Sequence, residues 1–132
     1  GVNKTIKVLE NNSKGIVFVN LVDFDSKYGH RRNASGYKRA LEDFDERVPE
    51  ILGCLAKNDI IIFTADHGND PTHTGTDHTR EYVPIIVFGE LIRPGINIGT
   101  RTSFSDIGAT ISDILRIKMP RHGISFKDLI LR

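Results

Sequence analysis

Ile60-Ile61-Ile62-Phe63-Thr64-Ala65-Asp66-His67-Gly68-Asn69-Asp70 is the stretch on which the reading of this chain turns. Ile60 to Phe63 is an uninterrupted apolar run with no polar face, which predicts a buried β-strand. A carboxylate and an imidazole follow side by side, and then a glycine that lets the backbone turn sharply. A little further on, Gly75-Thr76-Asp77-His78-Thr79-Arg80-Glu81 adds a second imidazole among small turn residues. Hard oxygen and borderline nitrogen donors on a loop at the end of a strand are what a divalent metal needs.

Upstream the pattern repeats. Ile16 to Val22 is another apolar run that reads as a strand, and it ends in Asp23-Phe24-Asp25-Ser26-Lys27-Tyr28-Gly29-His30-Arg31-Arg32-Asn33. Two predicted strands therefore each deliver Asp and His just past their C-terminal ends, the edge at which open α/β sheets bind ligands. Loops rich in Asp and Gly are usually only turns. Two of them, each after a strand of the same type, are much harder to explain that way.

Between the strands, Tyr37, Leu41, Phe44, Val48, Ile51 and Leu55 recur at three- and four-residue intervals, the apolar face of a helix. Pro49 falls inside it and predicts a kink or break, because it lacks a donor and clashes with the carbonyl four residues back. Val83 to Gly89 predicts a third strand, with Pro84 at its first position. Ser105 is the expected N-cap of a short helix carrying Ile107, Ile111, Ile114 and Leu115. A last helical turn is expected around Phe126 to Leu131. At the other end, Val2, Ile6 and Val8 suggest a short strand, and Asn11-Asn12-Ser13-Lys14-Gly15 a turn. Strands alternating with helices predict an α/β fold with a mostly parallel sheet flanked by helices. Three strands are few for such a sheet, so residues 1–132 read as a single domain that is part of a larger fold.

The 132 residues carry a formal net charge of only +1, so no bulk field points to nucleic acid or an anionic membrane. The tight basic pair Arg31-Arg32 reads as a solvated loop, with phosphate recognition as its sharper alternative. One cysteine, Cys54, excludes an internal disulfide and suits a reducing, cytoplasmic setting. It is expected to be a small core residue. No apolar run reaches membrane-spanning length. The chain opens on Gly1 without an initiator Met, which suggests processing or a fragment.

The candidate metal ligands are Asp25, His30, Asp66, His67 and His78, with Asp23 and Asp77 in reserve. Carboxylate and imidazole without thiolate suit Mn²⁺, Zn²⁺ or a similar ion rather than a structural Cys-type zinc site. Five donors exceed one tetrahedral site and suggest two metals, an arrangement that stabilises both oxygens of an in-line displacement at phosphorus. His73 and His122 have no carboxylate at ligand spacing and read as exposed. Asn69 and Asp70 read as turn residues.

The Asp66-His67-Gly68-Asn69 signature, with the later His78-Thr79, resembles the alkaline phosphatase superfamily. Within it, Asp23-Phe24-Asp25 through Gly29-His30-Arg31-Arg32, and Ala65-Asp66-His67-Gly68-Asn69-Asp70-Pro71 through Gly75-Thr76-Asp77-His78-Thr79-Arg80-Glu81-Tyr82-Val83-Pro84, are similar to the phosphopentomutase family. Asp106-Ile107-Gly108-Ala109-Thr110 and Met119-Pro120 match the same family. The resemblance runs from about Gly15 to the end of the chain. It implies an alkaline-phosphatase-like core and reversible phosphate transfer between the C1 and C5 hydroxyls of ribose or deoxyribose, an intramolecular isomerisation. It implies a two-manganese centre, with Asp25, His30 and His78 for one Mn²⁺ and Asp66 and His67 for the other. The family's first half supplies a further Asp ligand, a Thr nucleophile that is phosphorylated in turnover, and a cap domain that helps to bind the sugar phosphate. No threonine here sits in a matching context. Thr64, Thr72, Thr74, Thr76 and Thr79 belong to the ligand motifs or their loops. The expectation is therefore the C-terminal portion of the core, whose partner is the N-terminal part of the same polypeptide, and which alone has no mutase turnover.

Two other readings are open at this stage. One is a cofactor-independent phosphoglycerate mutase or a phosphatase of the same superfamily. The other is a non-catalytic metal-binding unit whose missing strands are supplied by a neighbouring chain, since a parallel sheet with open edges invites association.

Overall fold

A computed structural model describes residues 1–11 and 14–132. These residues form two compact units: Gly1–Lys57 with Ile62–Ile86, and Asn58–Ile61 with Val87–Arg132.

In the first unit, Val2–Glu10 is a helix, α1, rather than the expected strand. Its apolar residues explain the difference. Val2, Ile6 and Leu9 are spaced by four and three and are half-buried, whereas Val8 is exposed, so the operative period is helical. α1 packs on α3 (Val48–Gly53), and the Arg47 guanidinium donates to Asn3 Oδ1 at 2.9 Å. The turn expected over Asn11–Gly15 includes Asn12 and Ser13, which lie outside the described residues.

Ile16 to Val22 does not form the strand expected of it. The run has no ladder partner among the described residues, and Phe18 is 87% exposed. Strand character needs neighbouring chain on its edges, and the apolar pattern alone cannot provide that. The chain then enters a π-helix, Phe24–Gly29, where a loop was expected. Phe24 packs on Tyr37 and meets Phe44 edge-on, and Phe44 meets Phe63 likewise, with centroids 5.9, 6.1 and 6.1 Å apart. This aromatic row ties the π-helix to α2 (Ala34–Asp45) and to β1 (Ile61–Thr64).

Asn33 caps α2 by accepting from the Gly36 amide at 2.9 Å. Gly36 is required there, because a Cβ would lie 2.6 Å from both Asn33 and the Tyr28 ring. The break foreseen at Pro49 is present: α2 stops at Asp45 and α3 restarts with Pro49 in its first turn, where the missing donor costs nothing. Ile51 is buried, while Cys54 is half-buried with its thiol directed at the Glu50 carbonyl.

β1 pairs with β2 (Ile85–Phe88) as a two-stranded sheet. Gly89, just past β2, lies against the Asp59 carbonyl just before β1, so the strands run antiparallel. The mixed helix-and-strand class stands, but the mostly parallel pairing does not form among the described residues.

The second unit is organised by polar groups inside its core. Asp106 and Thr110 are buried beside Ala109, Phe126 and Ile130 in and around α4 (Ser105–Ile114) and α5 (Lys127–Ile130). Asp106 accepts from the Ile124 amide at 2.9 Å and from Arg101 Nε at 2.8 Å. Thr110 donates to the Asp106 carbonyl and accepts from the Phe126 amide. The Arg101 guanidinium also covers the Phe126 ring, 5.5 Å from its centroid. Ser105 is the first helical residue rather than the cap. Ser103 Oγ takes its amide instead, at 3.1 Å. The Asp106 carboxyl is held below its ordinary range, first by the Ile124 amide and then by Arg101.

A depressed carboxylate stabilises the fold above its unfolded value and loses that contribution as pH falls through its folded one. Denaturant unfolding followed by circular dichroism is thus expected to lose stability below about pH 4. Asp106→Ala, which removes the buried acceptor of the Ile124 amide and of half-buried Arg101, should cost about 3 kcal/mol at neutral pH. An unchanged midpoint would refute the buried anchor.

Candidate metal centre

All five candidate ligands lie in the first unit. The π-helix brings the first two together. In an α-helix, residues five apart point roughly 140° away from each other. Here the His30 amide donates to the Asp25 carbonyl at 2.9 Å, an i to i−5 bond, and one wide turn sets the two side chains over each other. His30 Nε2 is 3.3 Å from Asp25 Oδ2.

The loop after β1 supplies the rest. Gly68 and Thr79 form an antiparallel bridge, and the Thr79 amide donates to the Gly68 carbonyl at 3.1 Å. This folds the loop back on itself and returns His78 to the neighbourhood of His67. Their rings stack at 3.7 Å with 23° between planes. A Cβ on Gly68 would lie 2.5 Å from the Glu81 carboxylate and 2.8 Å from its amide, so only glycine permits the closure. His78 Nε2 lies 3.4 Å from Asp25 Oδ1 and 3.0 Å from His30 Nε2. Asp25, His67 and His78 each offer a donor atom within 4.8 Å of the other two.

The hydrogen bonds around these donors set which of their atoms face inward. His30 Nδ1 sits 2.5 Å from the Thr76 carbonyl, which can only accept. Nδ1 therefore donates to that carbonyl, and Nε2 is the nitrogen turned toward Asp25 and His78. An outer hydrogen bond that fixes a histidine tautomer in this way is the common support of a metal-binding imidazole. Two ring nitrogens 3.0 Å apart beside a carboxylate are a donor set that a shared cation or a proton must bridge. Hard oxygen and imidazole nitrogen of this kind fit a divalent ion such as Mn²⁺ or Zn²⁺.

Asp66 stands at the margin. Its side chain is 77% exposed, and its Oδ1 is 3.6 Å from Nε2 of the adjacent His67. Asp23 is exposed and pairs with Lys27 at 2.8 Å. Asp77 contributes its carbonyl rather than its carboxylate. His73 and His122 are exposed.

Two participants were not legible as such. Asn69 does more than turn the chain: its Nδ2 donates to Asp25 Oδ1 at 2.6 Å. Arg32 is not a solvated loop residue, since its guanidinium is engaged with the 69–77 segment. Asp70 closes a local turn by accepting from the Thr72 amide and hydroxyl, and those bonds hold its carboxyl below the ordinary range. Burial, and then the charge of Asp25, push the Tyr37 phenol upward. No helix among the described residues is long and apolar enough to cross a membrane.

A family model described as the Metalloenzyme superfamily matches residues 1–119. The chain is 61% identical over its whole length to a phosphopentomutase of Alkaliphilus oremlandii, covering 34% of that protein. It is 62% identical to one of Alkaliphilus metalliredigens over 99% of its length, and 56% identical to one of Clostridioides difficile over 96%, covering 34% and 33% of those proteins. The chain thus spans about a third of the length of the curated relatives it matches.

Nitrogen-detected NMR of the histidine rings is expected to show a proton on His30 Nδ1, hydrogen-bonded to the Thr76 carbonyl. A bare Nδ1 would contradict the hydrogen bond to Thr76. Gly68→Ala should weaken divalent-ion binding by about tenfold, as loss of a supporting contact does. An unchanged Mn²⁺ titration would contradict the close approach at Gly68.

Proposed function

This chain belongs to the Metalloenzyme superfamily, and we propose that it is the C-terminal segment of the metal-dependent core of a phosphopentomutase. The observation that carries the reading is 61–62% identity, over essentially the whole chain, to proteins of that name. The clustered carboxylate and imidazole donors support it from the side of chemistry. The whole protein interconverts ribose or deoxyribose 1-phosphate and 5-phosphate through a phosphothreonine that lies outside these 132 residues. The lone cysteine is consistent with a cytoplasmic enzyme.

In this proposal Asp25, His30 and His78 hold one Mn²⁺, and Asp66 and His67 contribute to a second. The ions, when bound, neutralise the phosphate oxygens and stabilise both ends of an in-line displacement. This chain's residues prepare for that. Thr76 engages His30 Nδ1, which leaves Nε2 as the nitrogen facing Asp25 and His78. Asn69 fixes the plane of the Asp25 carboxylate. Asp66, being exposed, is free to turn toward an ion beside His67. The mostly parallel sheet belongs to the same proposal: Ile16–Val22, apolar and exposed here, is a strand that pairs with chain outside this segment.

A chimera tests the reading. Residues 1–132 would replace the matched third of the Alkaliphilus oremlandii phosphopentomutase. The chimera should interconvert ribose 1-phosphate and ribose 5-phosphate, and Asp25→Asn within it should lower kcat/KM by more than about 100-fold, the upper range for residues that only support a metal ligand. A folded, Mn²⁺-binding chimera that turns over phosphoglycerate, or nothing, would overturn the assignment. The unfused chain should show no turnover.

A further inference from the structure

Arg32 makes four hydrogen bonds to one short segment. Its Nε donates to the Gly75 carbonyl at 2.5 Å, and its Nη2 to the Asp77 carbonyl at 2.5 Å. Its Nη1 donates to Asn69 Oδ1 at 2.8 Å and to the Asp70 carbonyl at 2.7 Å. Four of the five guanidinium N–H groups are thereby used on three backbone carbonyls and one amide oxygen. The backbone at Arg32 is left-handed, with φ at +51°, a conformation that non-glycine residues seldom adopt. A guanidinium committed in this way has little left to offer a phosphate group.

We propose that Arg32 is a positioning residue that pre-forms the metal centre by clasping the 69–77 segment, a role that rests on the metal reading above. It acts along two lines. The first runs through Asn69. Arg32 can only donate, so the Asn69 oxygen must face it, and this turns the Asn69 nitrogen onto Asp25 Oδ1, 2.6 Å away. The carboxylate plane is set by that bond, and its remaining lone pairs face His30 and His78. The second runs through the backbone. The two carbonyls that Nε and Nη2 grip, at Gly75 and Asp77, bracket Thr76, whose own carbonyl holds His30 Nδ1. Asp77 also immediately precedes His78. One side chain therefore fixes the orientation of Asp25, the tautomer of His30 and the position of His78.

The fork is needed rather than the charge. Lysine carries the same charge but presents it as a point, and cannot reach four acceptors spread from Asn69 to Asp77. Charge alone would act the other way, because a cation beside a cation site weakens binding, and its removal would tighten it.

The test uses Arg32→Lys and Arg32→Ala in the 132-residue chain, with two readouts. Amide hydrogen exchange without metal reports the clasp itself, at the Thr79 and Asp70 amides that donate to the Gly68 carbonyl and to Thr79 Oγ1. Mn²⁺ titration followed by electron paramagnetic resonance reports the consequence. Both variants are expected to exchange these two amides at least tenfold faster, while amides of α2 and α4 keep their protection. Both are expected to bind Mn²⁺ 10- to 100-fold more weakly, the range for residues that orient metal ligands. Unchanged exchange, Lys restoring full affinity, tighter binding by the Ala variant, or equal loss of protection across α2 and α4 would each overturn the clasp. Failure of the unmutated chain to bind Mn²⁺ or Zn²⁺, with exchange changing as expected, would instead refute the metal reading and leave Arg32 as a loop clasp only.

Discussion

A single backbone hydrogen bond, from the His30 amide to the carbonyl of Asp25 five residues earlier, sets the geometry on which the candidate centre depends. Had this segment wound as an α-helix, the carboxylate and the imidazole would have pointed to different sides. The wider turn places them 3.3 Å apart before any other element contributes. Widened turns of this kind are rare and occur frequently at functional sites. Here the reason is visible, because the turn converts a five-residue spacing into a shared face. The aromatic row of Tyr37, Phe24, Phe44 and Phe63 holds the turn against α2 and β1.

Around that turn, the centre is supported by groups that never need to touch an ion. Gly68 allows the loop to close on Thr79, Thr76 fixes a proton on His30, Asn69 orients Asp25, and Arg32 holds the loop that carries all three. The division of labour follows from chemistry. Imidazole and carboxylate offer lone pairs in several directions, and only outer hydrogen bonds decide which of them face inward. In the other unit the same logic serves stability: the Asp106 carboxylate is satisfied by an amide and a guanidinium inside an apolar setting, so its burial is tolerable.

Much of this was legible in the residues. Ile60 to Phe63 announced a strand through an unbroken apolar run, Val83 to Gly89 through one with Pro84 near its start, and Pro49 announced the break between α2 and α3. The Asp-His pairs announced a donor cluster, because turns alone do not call for imidazole. The rest was hidden for physical reasons. Val2, Ile6 and Val8 suit a strand until Leu9 completes a helical face. Ile16 to Val22 has the composition of a buried strand, but a strand exists only with neighbours, and this chain spans a third of its relatives. The π-helix leaves no mark on hydrophobic periodicity. Arg32 could not be told from a solvated arginine, because its acceptors are backbone carbonyls that any sequence carries.

In the proposed centre, Asp25, His30, Asp66, His67 and His78 are the metal ligands. Anomalous diffraction at the manganese edge, from crystals of the chain grown with Mn²⁺, would locate the ions. The expected map has a peak bonded to Asp25, His30 and His78, with any second peak against Asp66 and His67. Manganese bound elsewhere, at Asp23 or Asp77 for instance, with His30 Nε2 and His78 Nε2 left 3.0 Å apart and uncoordinated, would rule out this ligand set.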